Sequence, residues 1–171
     1  MRFDHAMAVA VSALIGTTAS AWAADTSDDR YQVVDALNRF AAGQDLRDPA
    51  LLASAFAPDA ELDFAQPAKR FGVDMAVLKG RDNIVGMIRG ALAQIDTTHT
   101  VTNTRVSVDG DKALLFALVE AQHLPSADHS RNLLLKNFYW VSLRRSGERW
   151  EITSMRIENA WYRGDPKVLF P

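Results

Sequence analysis

Between Thr97 and His123 the chain reads T-T-H-T-V-T-N-T-R-V-S-V, then D-G-D, then K-A-L-L-F-A-L-V-E-A-Q-H, two β-rich runs separated by turn-forming residues. A hairpin this long commits the fold to an antiparallel sheet, and strand alternation assigns each side chain to one of two faces. With Val108 opposite Lys112 around Asp109-Gly110-Asp111, His99 faces Ala121, Val101 faces Val119 and Asn103 faces Ala117. One face then carries His99, Val101, Asn103, Ala117, Val119, Ala121 and His123; the other carries Leu114, Phe116 and Leu118. The bulky face is expected to pack, and the small-residue face to floor a pocket. A second reading stands beside it: the alanines admit a helix close to the sheet, and His99 is a hydrogen-bonded core histidine. The hairpin alone supports both.

The rest of the chain supplies helices before the hairpin and strands after it. From Ser27 to Ala42 apolar residues recur at Tyr31, Val34, Leu37, Phe40 and Ala41, predicting a helix with Ser27 as its N-cap and Gly43 at its end. Asp48-Pro49 is an N-cap and first-turn pair for a second helix, which Pro58 stops. Ala60 to Phe64 alternates as a short strand, and the segment from Gln66 to Lys79 reads as a loop with an edge strand or a lid. Asp82 is the expected cap of a third helix running to Ile95, in which Gly86 and Gly90 would permit close packing on the sheet. Leu133 to Arg144 and Arg149 to Trp161 form a second hairpin through Ser146-Gly147. Three helices segregated from a strongly bent antiparallel sheet make an α+β fold.

Length and charge narrow the partners. A chain of 171 residues with 48% hydrophobic content supports one domain with a sizeable core. Nineteen basic and twenty-one acidic residues leave a net charge of -2, with no basic excess for nucleic acid or an anionic membrane. Cysteine is absent, which removes disulfides, thiolate nucleophiles and cysteine-ligated zinc. Arg2, an apolar run from Ala6 to Gly16 and the small-residue site Ala21-Trp22-Ala23 have the form of a signal peptide, although Asp4 weakens its positive end. The expectation is a leader over residues 1–23, a mature domain over 24–171, and a periplasmic or secreted location.

Serine-hydrolase, nucleotide-binding and zincin motifs do not occur. His123, Asp128 and His129 match no metal-ligand spacing, so no metal is expected, and nothing in the pattern calls for an organic cofactor. Asp48 is accounted for as a cap. Asp45 caps nothing, which makes it the more interesting carboxylate; the plain alternative is a solvated loop residue.

The order D-L-R-D (Asp45 to Asp48), F-A-P-D-A (Phe56 to Ala60), G-R-D-N-I (Gly80 to Ile84), T-T-H-T-V-T-N (Thr97 to Asn103), V-D-G-D-K-A (Val108 to Ala113), W-E-I (Trp150 to Ile152) and W-Y-R-G-D-P (Trp161 to Pro166) resembles the SnoaL-like branch of the nuclear transport factor 2-like superfamily. The resemblance implies a cone-shaped, curved antiparallel sheet with three N-terminal helices around an apolar pocket, and a small homo-oligomer such as a dimer. It also implies an Asp-His dyad of the kind used by the lyases scytalone dehydratase, bile-acid 7α-dehydratase and hexachlorocyclohexane dehydrochlorinase, matching Asp45 and His99 here. Thr102 to Arg105 is similar to the dehydrochlorinase, and His123 to a second pocket histidine of the scytalone dehydratase branch. Where the dehydrochlorinase has a lysine, this chain has Phe40, which argues against halide elimination.

The chemistry is self-consistent. An imidazole exchanges protons near neutral pH, so His99 can take a proton from an activated carbon and return it to a departing oxygen while Asp45 stabilises the imidazolium. Asn103, His123, Tyr31 and Tyr139 are the expected holders of the substrate's oxygen. The expected substrate is small, largely apolar, and cyclic or aromatic. The expected function is a dehydratase-like lyase; the alternatives are an isomerase with the same base and a secreted small-molecule-binding module without turnover.

Overall fold

The computed structural model describes residues 19–170, so most of the expected leader lies outside the described residues. The elements in chain order are α1 (Ala19–Asp45), α2 (Pro49–Ser54), β1 (Phe56–Asp63), α3 (Ala65–Arg70), β2 (Leu78–Lys79), α4 (Arg81–Ala91), β3 (Ile95–Asp109), β4 (Lys112–Pro125), β5 (Leu133–Ser146) and β6 (Arg149–Gly164), followed by a 3₁₀ turn at Pro166–Val168. One six-stranded sheet has the order β2-β1-β6-β5-β4-β3. The four long strands form an antiparallel meander, and β1 joins it in parallel beside β6. The expected α+β architecture is present, with the short helix α3 added inside the segment read as a loop, and β2 as the expected edge strand.

Helix α1 supplies the core's central ridge through Val33, Ala36, Leu37, Phe40 and Ala41, all buried. This stripe is rotated from the expected one, and Tyr31 falls off it. At about 100° per residue Tyr31 lies half a turn round from Phe40, and it is 69% exposed. Ser27 is interior to α1 rather than its cap, and Gly43 does not end the helix. Gly43 serves close approach instead: a Cβ there would lie 2.5 Å from the Leu52 backbone nitrogen, so only glycine lets α2 dock on α1. Asp48 caps α2 as expected, accepting from the Ala50 and Leu51 amides. Helix α4 begins after Gly80 with no side-chain cap, leaving Asp82 in its first turn. Gly86 and Gly90 have no neighbour within 4 Å of a built Cβ, so they do not mediate packing.

The hairpin's faces are inverted from the packing expectation. Ala113, Leu115, Ala117, Val119 and Ala121 point inward and are buried, whereas Leu114 is 62% exposed on the outer face beside Phe116, Phe138 and Trp140. Ala113, Leu115, Ala117 and Val119 share one buried cluster with Val33, Leu37 and Phe40 of α1.

The predicted register holds over part of the hairpin: His99 pairs with Ala121 and Val101 with Val119. Nearer the turn it is displaced by one, with Val108 opposite Ala113 and Asp109 opposite Lys112 around Gly110-Asp111. A bulge between Thr102 and Arg105 absorbs the extra residue, and Asn103 takes a left-handed φ of 54° there. Asparagine is among the few residues that tolerate that conformation.

Candidate active site

The C-terminal end of α1 meets the first half of β3, and there Asp45 and His99 come together. His99 Nδ1 lies 2.6 Å from Asp45 Oδ1, the His99 backbone N–H donates to Asp45 Oδ2 at 2.8 Å, and Thr97 Oγ1 donates to Asp45 Oδ1 at 2.8 Å. Strand β3 is at the sheet's edge, so its outward amide at His99 would otherwise be unpaired, and Asp45 closes it. Asp45 sits at the helix end where the backbone dipole disfavours an anion. Burial also pushes its carboxyl up, but the His99 ring, the His99 amide and the Thr97 hydroxyl outweigh it and hold Asp45 below the ordinary carboxylate range. An ionised Asp45 accepts from Nδ1–H, which fixes the tautomer and leaves His99 Nε2 as the unprotonated nitrogen.

The His99 side chain is 3% exposed and lines a partly open cavity of about 110 Å³. Its walls are mostly apolar: Phe40, Leu62, Phe64, Leu92, Leu135 and Ile157. That volume lies below the roughly 300–1,000 Å³ of drug-sized pockets and near the roughly 150 Å³ that holds a benzene ring. Larger grooves exist on the sheet's outer face, one of about 560 Å³ beside Phe116 and Trp140, but no histidine lines it.

The other expected residues divide. His123 and Tyr139 line the cavity and are buried. His123 Nδ1 lies 3.3 Å from the Leu133 carbonyl, and its ring stands 6.2 Å from that of His99. Burial first, then repulsion from His99, lowers its pKa from 6.5 to about 4, so it is a neutral imidazole at pH 7. Burial raises the Tyr139 hydroxyl well above its ordinary range, keeping it a donor. Tyr31 and Asn103 are corrected: Tyr31 is on the solvent face of α1, and Asn103 is exposed in the bulge, turned out of the pocket by the residue that the bulge inserts.

Two polar cavity residues, Gln44 and Asn137, escaped the sequence reading. Asn137 is buried on β5 and lines the pocket beside Tyr139. Asn159 Nδ2 donates to its Oδ1 at 2.8 Å, which turns the Asn137 amino group toward the Tyr139 hydroxyl. Asn137 stands in the inward series Leu133, Leu135, Tyr139, Val141 and Leu143. A lone amide in an otherwise apolar alternation is the signal that would have found it.

Known proteins share this chain's family and fold. The SnoaL-like domain family model matches residues 25–156. Terrestric acid biosynthesis cluster protein E of Penicillium crustosum is 28% identical over 148 residues, covering 82% of this chain and 89% of that protein. A candidate scytalone dehydratase from Novosphingobium aromaticivorans superposes with a TM-score of 0.72 at 16% identity, over 84% of this chain and 91% of the other. The type-3 hexachlorocyclohexane dehydrochlorinase of Novosphingobium barchaimii gives 0.69 at 19% identity, over 84% and 94%. The chain belongs to the SnoaL-like family, and its curved sheet and N-terminal helices are those of the nuclear transport factor 2-like fold.

Proposed function

We propose that this protein is a cofactor-independent lyase that eliminates water from a small, largely apolar cyclic substrate, with His99 as general base and Asp45 as its partner. The carrying observation is the 2.6 Å contact between His99 Nδ1 and Asp45 Oδ1, which orients Nε2 as the free base of a mostly apolar cavity. In this reading His99 Nε2 removes a proton from carbon next to a carbonyl or aromatic activating group. The electron pair forms the new carbon–carbon double bond, the carbon–oxygen bond breaks, and the imidazolium protonates the departing hydroxide to give water. Asp45 stabilises the imidazolium in between. Tyr139 and Asn137 are the donors placed to hold the substrate's oxygen, with the neutral His123 beside them. Phe40 forms an apolar wall near His99, with ring centroids 6.5 Å apart, and offers no cation to a leaving halide.

The test is deuterium exchange. Small cyclic β-hydroxy ketones incubated with the protein in D₂O should exchange the acidic C–H and lose water, both dependent on His99. No water loss from these, with exchange and migration of the double bond in the corresponding cyclic β,γ-unsaturated ketones, would favour the isomerase; binding without exchange would favour the non-catalytic module.

Two further expectations belong to the proposal. The chain is exported and its mature form begins near Ala24, which N-terminal sequencing of secreted material checks. It also self-associates, most simply as a dimer, through the outer sheet face of Leu114, Phe116 and Trp140, where Arg156 and Glu158 flank Trp140 with opposite charge. Light scattering of wild type and Leu114→Glu checks this, with loss of the oligomer expected in the variant.

A further inference from the structure

Two residues after Asp45, the chain makes an unusual choice. Helix α1 closes with the Asp48 N–H on the Gly43 carbonyl at 2.9 Å and the Arg47 N–H on the Gln44 carbonyl at 3.1 Å, the paired bonds of a Schellman ending. The position between them, Arg47, has φ 54°, a left-handed conformation in which glycine is the favoured residue. An arginine is kept there at a conformational cost. Its guanidinium donates to the Ala93 carbonyl (3.0 Å), the Ile95 carbonyl (3.2 Å), Asp96 Oδ1 (2.7 Å) and Ser126 Oγ (3.0 Å). Ser126 Oγ in turn donates to Asp96 Oδ1 at 2.8 Å. The left-handed turn therefore aims one side chain at the start of β3 and at the loop after β4, the strand ends that carry Thr97, His99 and His123.

We infer that Arg47 is a positioning residue that holds the end of α1 in register with β3, so that Asp45 meets Thr97, the His99 amide and the His99 ring together. The three contacts of Asp45 come from one strand, and Asp45 belongs to a helix terminus whose next turn leaves the sheet. Besides those of Arg47, the hydrogen bonds that tie that terminus to β3 are those of Asp45 itself, with Phe40 packed beside His99. A displacement of about 1 Å suffices to cost on the order of 10²-fold in rate where a base must be held in place. The inference rests on the proposed role of the Asp45 and His99 pair for its kinetic arm, but its structural arm is independent of turnover.

The decisive variant is Arg47→Gly, because glycine relieves the left-handed backbone while deleting all four guanidinium contacts; a fold loss is therefore not the expected result. Two readouts are taken: the downfield proton resonance of His99 Nδ1–H, and kcat and KM for any substrate that the wild type turns over. The expected result is a native melting profile, a His99 Nδ1–H signal that shifts or broadens through faster exchange, and kcat lower by roughly 10- to 10²-fold with KM little changed. Asp96→Asn and Ser126→Ala, which remove single anchors of Arg47, should move the same signal in the same direction by less, and they carry the test if the glycine variant fails to fold. An unchanged Nδ1–H signal in folded Arg47→Gly, or in both anchor variants, overturns the inference. A disturbed signal in a protein whose wild type catalyses no proton exchange leaves the positioning role standing and removes the lyase reading instead.

Discussion

Among the described residues, two aspartate–histidine pairs are joined through Arg47, and they differ in almost everything except contact distance. Asp45 and His99 meet at 2.6 Å with side chains 21% and 3% exposed; Asp96 and His129 meet at 2.8 Å with side chains 41% and 58% exposed. The first faces a mostly apolar cavity and takes two further hydrogen bonds from β3, while the second stands in solvent between a strand end and a loop. Distance alone would rank them together. Burial separates them, because a buried pair keeps one geometry and one protonation pattern, whereas an exposed pair exchanges partners with water and ions. An Asp-His contact is thus a candidate acid–base device only where a cavity gives the free nitrogen something to act on.

The largest expected effect tests that separation by activity. His99→Ala should abolish proton exchange on any substrate of the wild type, while the fold survives with a loss of about 1–3 kcal/mol from the partner removed from Asp45. Asp45→Asn keeps an oxygen for the ring N–H but removes the charge, and should lower the rate by roughly 10²- to 10⁴-fold. Both are read by steady-state kinetics alongside thermal melts. Full activity in a folded His99→Ala protein would collapse the distinction between the two pairs.

Legibility followed the same line between local pattern and tertiary placement. The pairing of His99 with Ala121 came from strand alternation, and Asp45 became suspect because it capped nothing; the family resemblance joined them. Asn103 failed because a bulge changes face without changing composition, and two compensating one-residue errors, at the turn and at the bulge, kept the His99 register right. Tyr31 failed because a helical stripe read from four or five apolar residues can be rotated by one position, and here the small residues Ala36 and Ala41 set the buried side. The outward face of Leu114, Phe116 and Leu118 was misread because size was taken for burial, whereas the alanines opposite belong to the core.

A smaller effect concerns stability in mild acid. His123 binds its proton near pH 4 when folded and near 6.5 when unfolded, so between these values the unfolded chain holds more protons. Stability is therefore full above about pH 6.5 and falls as pH drops toward 4, by about 3 kcal/mol over the window. Denaturant melts at pH 7.5 and pH 4.5 should show this loss in the wild type, and a smaller one in a folded His123→Gln protein. An equal loss in the variant would place the acid sensitivity elsewhere.

The smallest effect belongs to the exposed pair, and it should appear in a different pH range. Hydrogen bonds from His129, Ser126 and Arg47 hold the Asp96 carboxyl at about 2, against 3.8 for the ordinary group. A depressed carboxyl stabilises the fold above its unfolded value and loses that contribution as pH falls from about 4 toward 2, below the window of His123. Solvent and salt screen this pair, so His129→Ala should leave the melting temperature at pH 7 within scatter, more so at high ionic strength, and should leave proton exchange at the His99 site unchanged. The same substitution leaves Arg47 its bonds to two carbonyls, Asp96 and Ser126, so the register of Asp45 should survive it. Titrating wild type and His129→Ala from pH 7 to pH 2 by circular dichroism checks the order of events. The two curves should superpose through the His123 window and part only below about pH 4; a divergence beginning above pH 5 would mean that the exposed pair is coupled to the cavity more tightly than its contacts allow.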